Sequence, residues 1–387
     1  MIIAKRRIVF FAYDGTGLGH LMRLIKIASA FRENFVPIVV TGHKAVSDIV
    51  IPGIEFCRIP NFESFARAMY YATSGFDTVE FRINLLRRIV QTIKPIAIVT
   101  DHKPLGKKNE LIDVITQYNC LKYLVMRGNI GCEEKEEKNL LSPENVEVIN
   151  HYYKRVLIAS IPSIDDFSGS KTFYDTLKNK IQHVGFVTRH FDEAEILQTR
   201  RQRGLNPHDK WIVCSAGGGR LGDALVKKCV ELSTNPRFAD CHFDVVWGGY
   251  SDLAWPNDLY DTIRVNERVV YSRKTSALPQ MHASADVVIC SGGYNSLMES
   301  MQGRTKNVLA FSVQTNSDEQ KANIAKLGLF YPIQEIKQLE DVESMLAQCL
   351  STTSRTSYTL PDSDGAMRIK SIIENDLREQ KRKIEHD

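Results

Sequence analysis

The chain has 387 residues, of which 43% are hydrophobic, 25% charged and 9% aromatic, with 23 glycines and 13 prolines. At roughly 150 residues per domain this length predicts two globular domains, and the near-average composition excludes collagen, coiled-coil and wholly disordered chains. Fifty Lys and Arg against 46 Asp and Glu leave a net charge of +4, too faint a bias for the dense basic stripe of a nucleic-acid binder.

Lys5-Arg6-Arg7 followed by Ile8 to Tyr13 mimics the first two regions of a signal peptide, but Asp14-Gly15 stops the apolar run too early. No window reaches the ~18 uncharged apolar residues of a membrane span. The eight cysteines include no C-x-x-C pair, and Cys214 and Cys290 fall inside apolar runs, so reduced core thiols in a cytoplasmic protein are expected. Short β-branched runs then alternate with helical patterns, the signature of parallel βαβ units. Strands are expected at 7–13, 36–40, 96–100, 123–126 and 156–158. A break follows at 185–209, where a charged helical stretch, 193–203, leads into Asn206-Pro207. The second series is 211–216, 243–247, 268–271, 287–290 and 308–311. Each half opens with an apolar strand, a glycine turn and a helix. The expected fold is therefore α/β, two Rossmann-like domains facing each other across a cleft. Their bounds are 1–185 and 210–365, joined by a linker at 186–209, and a charged helix at 366–387 packs back toward the first domain. Asp362-Ser363-Asp364 has a D-x-D metal spacing, but a Ser/Thr/Asp-rich loop also explains it as a solvated turn.

After the first strand comes Gly15-Thr16-Gly17-Leu18-Gly19-His20. Glycine serves where backbone turns tightly or approaches a ligand, and a helix N-terminus attracts negative charge. The dinucleotide pattern G-x-G-x-x-G is absent, and no ribose-binding acid ends the second strand, which runs Val39-Val40-Thr41-Gly42-His43. NAD binding is thereby disfavoured, and the lack of Gly-Lys-Ser/Thr excludes a Walker A loop. His20 opens the following helix as a candidate general base. Arg23, three residues on, shares its face and is a candidate acceptor-side contact for a phosphate or carboxylate, or else a solvated surface arginine. Asp101 closes the strand 96–100, and strand C-termini line ligand crevices in such sheets. It is either an orienting partner for His20 or a helix N-cap.

The second turn, Gly217-Gly218-Gly219-Arg220, suits a diphosphate through successive N–H groups, with charge from Arg220. The third, Ser291-Gly292-Gly293-Tyr294-Asn295-Ser296, starts a helix whose N-terminus is a phosphate position. Glu299 lies one turn on, as a ribose-diol acceptor or as a capping-box partner of Ser296. Glu319, Gln320 and Asn323 begin the next helical stretch, where a carboxylate and amides suit sugar hydroxyls.

Gly293-Tyr294-Asn295-Ser296-x-x-Glu299-Ser300 followed by Glu319-Gln320-x-x-Asn323 resembles the signature box of the UDP-glycosyltransferases, of GT-B fold, and the donor site of the peptidoglycan N-acetylglucosaminyltransferase. The resemblance implies that Asn295 and Ser296 contact diphosphate, Glu299 holds ribose, and Glu319 with Gln320 holds the donor sugar. Gly17, Gly19, Gly218, Gly219, Arg220, Gly292 and Gly293 complete the donor side. Ser291 stands where the plant-type box carries a phosphate-contacting His, and Glu319 stands where the usual acid is Asp, the second departure implying a different donor-sugar geometry. The run Gly17-Leu18-Gly19-His20-Leu21-Met22-Arg23 resembles the G-x-G-H-x-x-R of the nucleotide-sugar hydrolase of pseudaminic-acid synthesis.

The expected function is inverting transfer of a sugar from a UDP- or TDP-sugar to an acceptor hydroxyl or amine. His20 and Asp101 are the catalytic pair, and by the resemblance neither metal nor cofactor takes part. Rival readings are a nucleotide-sugar hydrolase or epimerase of the same fold, and a non-catalytic nucleotide-sugar-binding subunit. The expected acceptor is a small molecule or a lipid-linked one. Phe62, Phe65, Tyr70, Tyr71, Phe76 and Phe81 crowd the middle of the first domain. Beside them the basic amphipathic stretch 81–90 is either a peripheral contact at the inner membrane face or, the preferred reading, core packing with solvated arginines. The charged run 133–138 reads as a solvated loop or helix face.

Overall fold

A computed structural model describes residues 5–14, 18–43, 46, 49–62, 77–128, 142–165, 171–217, 222–249, 251, 253–303, 305, 307–313, 319–351, 358 and 362–386. The chain forms two compact units, one of Met1–Val187 with Asp362–Asp387 and one of Thr188–Pro361.

The first unit is built on strands β1 (Arg6–Phe11), β2 (Phe35–Thr41), β3 (Glu55–Arg58), β4 (Ala97–Asp101), β5 (Leu121–Arg127), β6 (Arg155–Ala159) and β7 (Ile181–His183). They pair in the order β3-β2-β1-β4-β5-β6-β7, every neighbour parallel. Helices α1 (Gly19–Phe31), α2 (Thr78–Ile93), α3 (Ile112–Gln117), α4 (Pro143–Tyr152) and α5 (Lys171–Leu177) connect them. Side chains alternate across a strand, so Ile8 and Phe10 of β1 enter the core beneath α1, while Val9 and Phe11 enter the opposite core with Leu86 and Val90 of α2. Burial of both faces is what makes a parallel sheet read as continuous apolar runs. The apolar face of α2 thus belongs to this core.

The second unit carries helix α6 (Glu193–Arg203), strand β8 (Lys210–Ser215), α7 (Asp223–Ser233), β9 (Cys241–Val246), β10 (Thr262–Arg264), β11 (Val269–Ser272), α8 (Leu278–Ser284), β12 (Val287–Ser291), α9 (Tyr294–Met301), β13 (Asn307–Phe311), α10 (Glu319–Leu327), β14 (Ile333–Ile336) and α11 (Val342–Ser351). Its sheet runs β10-β11-β9-β8-β12-β13-β14. Only the edge pair β10–β11 is antiparallel. A capping box between Asp192 and Glu195 starts α6. Buried Arg200 then ties α6 to the Ser284 carbonyl at 3.0 Å and the Asp209 carbonyl at 2.7 Å.

The last helix, α12 (Gly365–His386), returns to the first unit. The D-x-D residues make the return: Phe186 N donates to the Asp362 carbonyl at 2.7 Å, and Asp364 bridges to Val187. Ile369, Ile373 and Leu377 join the core beneath α1. Asp376, 2% exposed, accepts from Tyr123 Oη (3.1 Å) and from Arg155 Nε (2.8 Å) and Nη2 (2.6 Å).

In a doubly wound sheet, ligands bind beyond the strand C-termini where the strand order reverses. That point lies between β1 and β4 in the first unit and between β8 and β12 in the second. All three glycine turns follow one of these strands.

Candidate functional site

In the first unit the reversal point gathers Tyr13, His20, Arg23, Asp101 and His102. His20 is the second residue of α1 and Asp101 the last of β4. His20 Nδ1 lies 2.6 Å from Asp101 Oδ2. Arg23 donates to the other oxygen, Oδ1, from Nε at 3.0 Å and from Nη2 at 2.6 Å. Burial pushes the Asp101 carboxyl up, but the Arg23 guanidinium and His20 outweigh it and hold the group below its ordinary value. An ionised carboxylate accepts only, so Nδ1 of His20 is the donating nitrogen, and in the neutral ring Nε2 holds the lone pair. Arg23 Nη2 and His20 Nδ1, 3.0 Å apart, are then two donors side by side on one carboxylate. Arg23 is 4% exposed, so in this structure it serves Asp101 rather than solvent. His20 keeps 17% of its side chain exposed, enough for a ligand to reach the ring.

Tyr13 and His102 are partners that the sequence reading did not single out. The ring of His20 lies 5.3 Å from that of Tyr13 and 4.9 Å from that of His102. His102 has φ +68°, a left-handed conformation that costs a non-glycine residue about 1–3 kcal/mol. Its N–H donates to the Val125 carbonyl at 2.7 Å, which helps hold the turn. Burial, reinforced by His20 and Arg127, keeps this second imidazole well below its ordinary value and hence uncharged near neutrality.

A small cavity beside Asp101 and Tyr13 is floored by Arg82, Leu86, Gly106 and Glu110. Arg82, expected to be solvated, is 1% exposed. It donates from Nη2 to Asp14 Oδ2 at 2.9 Å, and also to Glu110 and to the Pro60 carbonyl. Its guanidinium lies 4.1 Å from the Phe62 ring centroid. Phe65, Tyr70, Tyr71 and Phe76 lie outside the described residues, as does the run 133–138.

In the second unit the turns after β8 and β12 adjoin. A Cβ built on Gly217, whose φ is +75°, would lie 3.4 Å from Ser291 Oγ. At Gly292 a Cβ would fall 2.8 Å from the Gln320 carbonyl, so glycine is what lets α10 approach this turn. Asn323 Nδ2 donates to the Gly292 carbonyl at 3.2 Å, and Gln320 Oε1 accepts from Val313 N at 3.1 Å. Gly293 is the N-cap of α9, without a side-chain cap. Ser296 therefore sits at N3, and the capping box with Glu299 cannot form. Asn295 and Ser296 lie half-buried in the first turn, and Glu299 is buried one turn below. The structure thus brings Gly292, Gly293, Asn295, Ser296, Glu299, Glu319 and Gln320 around β12 and α10, and places Gly19 at the start of α1. Gly17, Gly218, Gly219 and Arg220 lie outside the described residues. Among the described residues no three His, Cys, Asp or Glu side chains gather to hold a metal ion, and no helix is long and apolar enough to cross a membrane.

No protein-family model matches the chain, and no curated protein matches it in sequence. Solved structures do resemble it over nearly its full length. UGT2 of Phytolacca americana, complexed with UDP-2-fluoroglucose and pterostilbene, is 14% identical with a TM-score of 0.56, covering 98% of this chain and 94% of that one. The glycosyltransferase SnogD from Streptomyces nogalater is 13% identical with a TM-score of 0.56, over 96% and 99% of the two chains. HepE of Anabaena in complex with UDP-glucose is 14% identical with a TM-score of 0.52, over 95% and 94%. Likeness at such identities establishes architecture: this chain has the two-domain α/β fold of the GT-B glycosyltransferases.

Proposed function

We propose that the protein is an inverting, metal-independent glycosyltransferase that moves a sugar from a UDP- or TDP-sugar to an acceptor hydroxyl or amine. The observation that carries this reading is the His20–Asp101 pair at the reversal point of the first sheet, with Nδ1 tied to the carboxylate at 2.6 Å. The second reversal point offers a matching donor site on Gly292, Gly293, Asn295, Ser296 and Glu299. Neighbours of the same fold hold UDP-sugars, which supports this assignment of the second unit.

In the mechanism, Nε2 of His20 takes the proton of the acceptor as its oxygen or nitrogen attacks the anomeric carbon from the face opposite the nucleotide. Asp101 holds the tautomer and stabilises the imidazolium that forms. Arg23 keeps Asp101 ionised throughout. The leaving diphosphate is stabilised by N–H groups at the turn and helix start of α9, donors whose orientation is set before the reaction. Glu299 anchors the ribose, and Glu319 with Gln320 the sugar. The acceptor is a small molecule or a lipid-linked one. Core packing of α2 weighs against its use as a membrane contact.

A second reading rests on the G-x-G-H-x-x-R spacing, whose Arg23 is bonded into the catalytic pair. Water in place of the acceptor makes the same base that of a nucleotide-sugar hydrolase. The test is calorimetric titration with UDP, TDP, ADP and GDP, followed by UDP-sugar turnover with and without acceptor alcohols. Binding of UDP or TDP with acceptor-dependent release supports transfer, and release without acceptor supports hydrolysis. Failure to bind any of the four removes both.

A further inference from the structure

The donor-side unit contains a buried polar chain that runs into Glu299 from two residues the mechanism above does not use, Ser215 and His282. Ser215 ends β8, directly before the Ala216-Gly217 turn; His282 lies in α8; Glu299 lies in α9. Ser215 Oγ is 2.9 Å from His282 Nε2, and His282 Nδ1 is 3.8 Å from Glu299 Oε2. The three residues are 2%, 0% and 6% exposed.

Burial outweighs the pull of Glu299 and pushes the His282 ring down to about 4, so it is neutral under ordinary conditions and carries one N–H. With the proton on Nε2, the lone pair of Nδ1 would face a carboxylate oxygen. With the proton on Nδ1, the Ser215 hydroxyl donates to Nε2 and the protonated nitrogen is the one 3.8 Å from Glu299 Oε2. Electrostatics select the second arrangement. The order serine–imidazole–carboxylate is that of a hydrolytic triad, but no substrate reaches a ring with no exposed surface, so nucleophilic catalysis is excluded. The ring is also fixed from its backbone, since the His282 carbonyl accepts from Thr305 Oγ1. At 3.8 Å the contact to Glu299 exceeds hydrogen-bond length. It acts on the carboxylate as a charge–dipole attraction rather than as a hydrogen bond.

We propose that His282, held by Ser215, is a positioning residue that aims the Glu299 carboxylate at the ribose diol of the donor nucleotide. The proposal rests on the reading of Glu299 as the ribose acceptor. It also links the two glycine turns of the unit, because Ser215 precedes one and Glu299 follows the other.

The test uses the full chain and measures dissociation constants for UDP and 2′-deoxy-UDP by calorimetry, with circular dichroism of each variant as a folding control. Wild type should prefer UDP by about tenfold or more, as expected for a hydrogen bond to a charged group. Glu299→Gln should abolish most of that preference. His282→Phe should reduce it at least threefold while leaving 2′-deoxy-UDP affinity within twofold of wild type. A merely structural role would weaken both nucleotides alike. Ser215→Ala, a milder change, should lower the preference in the same direction and serves if His282→Phe does not fold. Preference retained in Glu299→Gln, or absent in wild type, overturns the ribose reading and the proposal with it. Preference lost in Glu299→Gln but retained in His282→Phe and Ser215→Ala overturns the proposal alone.

Discussion

Replacing Arg82 with Met should destabilise the first unit strongly at neutral pH and much less in mild acid. Arg82 is 1% exposed and lies against two buried carboxylates, Asp14 and Glu110, at 2% and 6%. Methionine keeps much of the apolar stem over Phe62 but removes the charge. Two carboxylates then share the site without the guanidinium between them, Lys107 Nζ being bonded to the Asp14 backbone carbonyl at 3.1 Å, and removing one partner of a buried ionic group costs about 3–5 kcal/mol. Asp14 retains the Thr41 hydroxyl at 3.2 Å and Gly42 N at 2.9 Å, so Glu110 is the group that gives way. Burial already pushes its carboxyl above the ordinary value despite Arg82, and losing the guanidinium pushes it further. A carboxyl raised on folding binds its proton more tightly in the folded state, so stability increases as pH falls through its folded value. The cost of Arg82→Met should therefore be greatest at pH 7–8 and shrink toward pH 5. Urea unfolding followed by far-UV circular dichroism reports both units. The three tryptophans, Trp211, Trp247 and Trp255, all lie in the second unit, so their fluorescence provides an internal reference. A change below about 1 kcal/mol in the first unit's transition, or a cost independent of pH, would mean that Asp14 and Glu110 do not depend on the Arg82 guanidinium.

Asp101→Asn leaves Arg23 buried against a neutral amide, at a cost of about 3 kcal/mol at neutral pH. Because the folded Asp101 is held below its ordinary value, its contribution is complete above the unfolded value of about 3.9 and is lost as pH falls through the lower folded one. Acid titration of stability should accordingly be flatter below about pH 4 in Asp101→Asn than in wild type; superimposable curves would count against the pairing. Gly292→Ala forces a Cβ to within 2.8 Å of the Gln320 carbonyl and Ile324 Cδ1. Overpacking of this kind costs about 1–3 kcal/mol, so both the thermal midpoint and UDP affinity should drop, and an unchanged midpoint would contradict the close approach of α10.

Central strands were legible because burial on both faces demands unbroken apolar runs, and all ten expected strands have counterparts. The four strands the sequence did not signal, β3, β7, β10 and β14, are the four sheet edges. Each is three or four residues long and at least partly exposed, as in Glu55–Arg58 and Ile181–His183. Such segments owe their conformation to the neighbour they pair with, which no local pattern records. His20 and Asp101 were legible as a pair because both sit where strand ends meet helix starts. Tyr13 and His102 were not: one follows an apolar run like any strand end, and the other depends on a backbone φ that composition does not signal. Arg82 was misjudged because helical periodicity marks a face as polar without showing that Asp14 and Glu110 wait beneath it. His282 escaped notice for a similar reason, since Ser215, 67 residues away, meets it only through sheet order.

The measurement that bears most directly on this account is UDP release from UDP-sugars by wild type and His20→Ala, with UDP affinity determined in parallel. Turnover should fall about 10²–10⁴-fold in His20→Ala, the usual contribution of a general base, with UDP affinity within twofold of wild type. Turnover that survives in His20→Ala would contradict the role of His20 as the base.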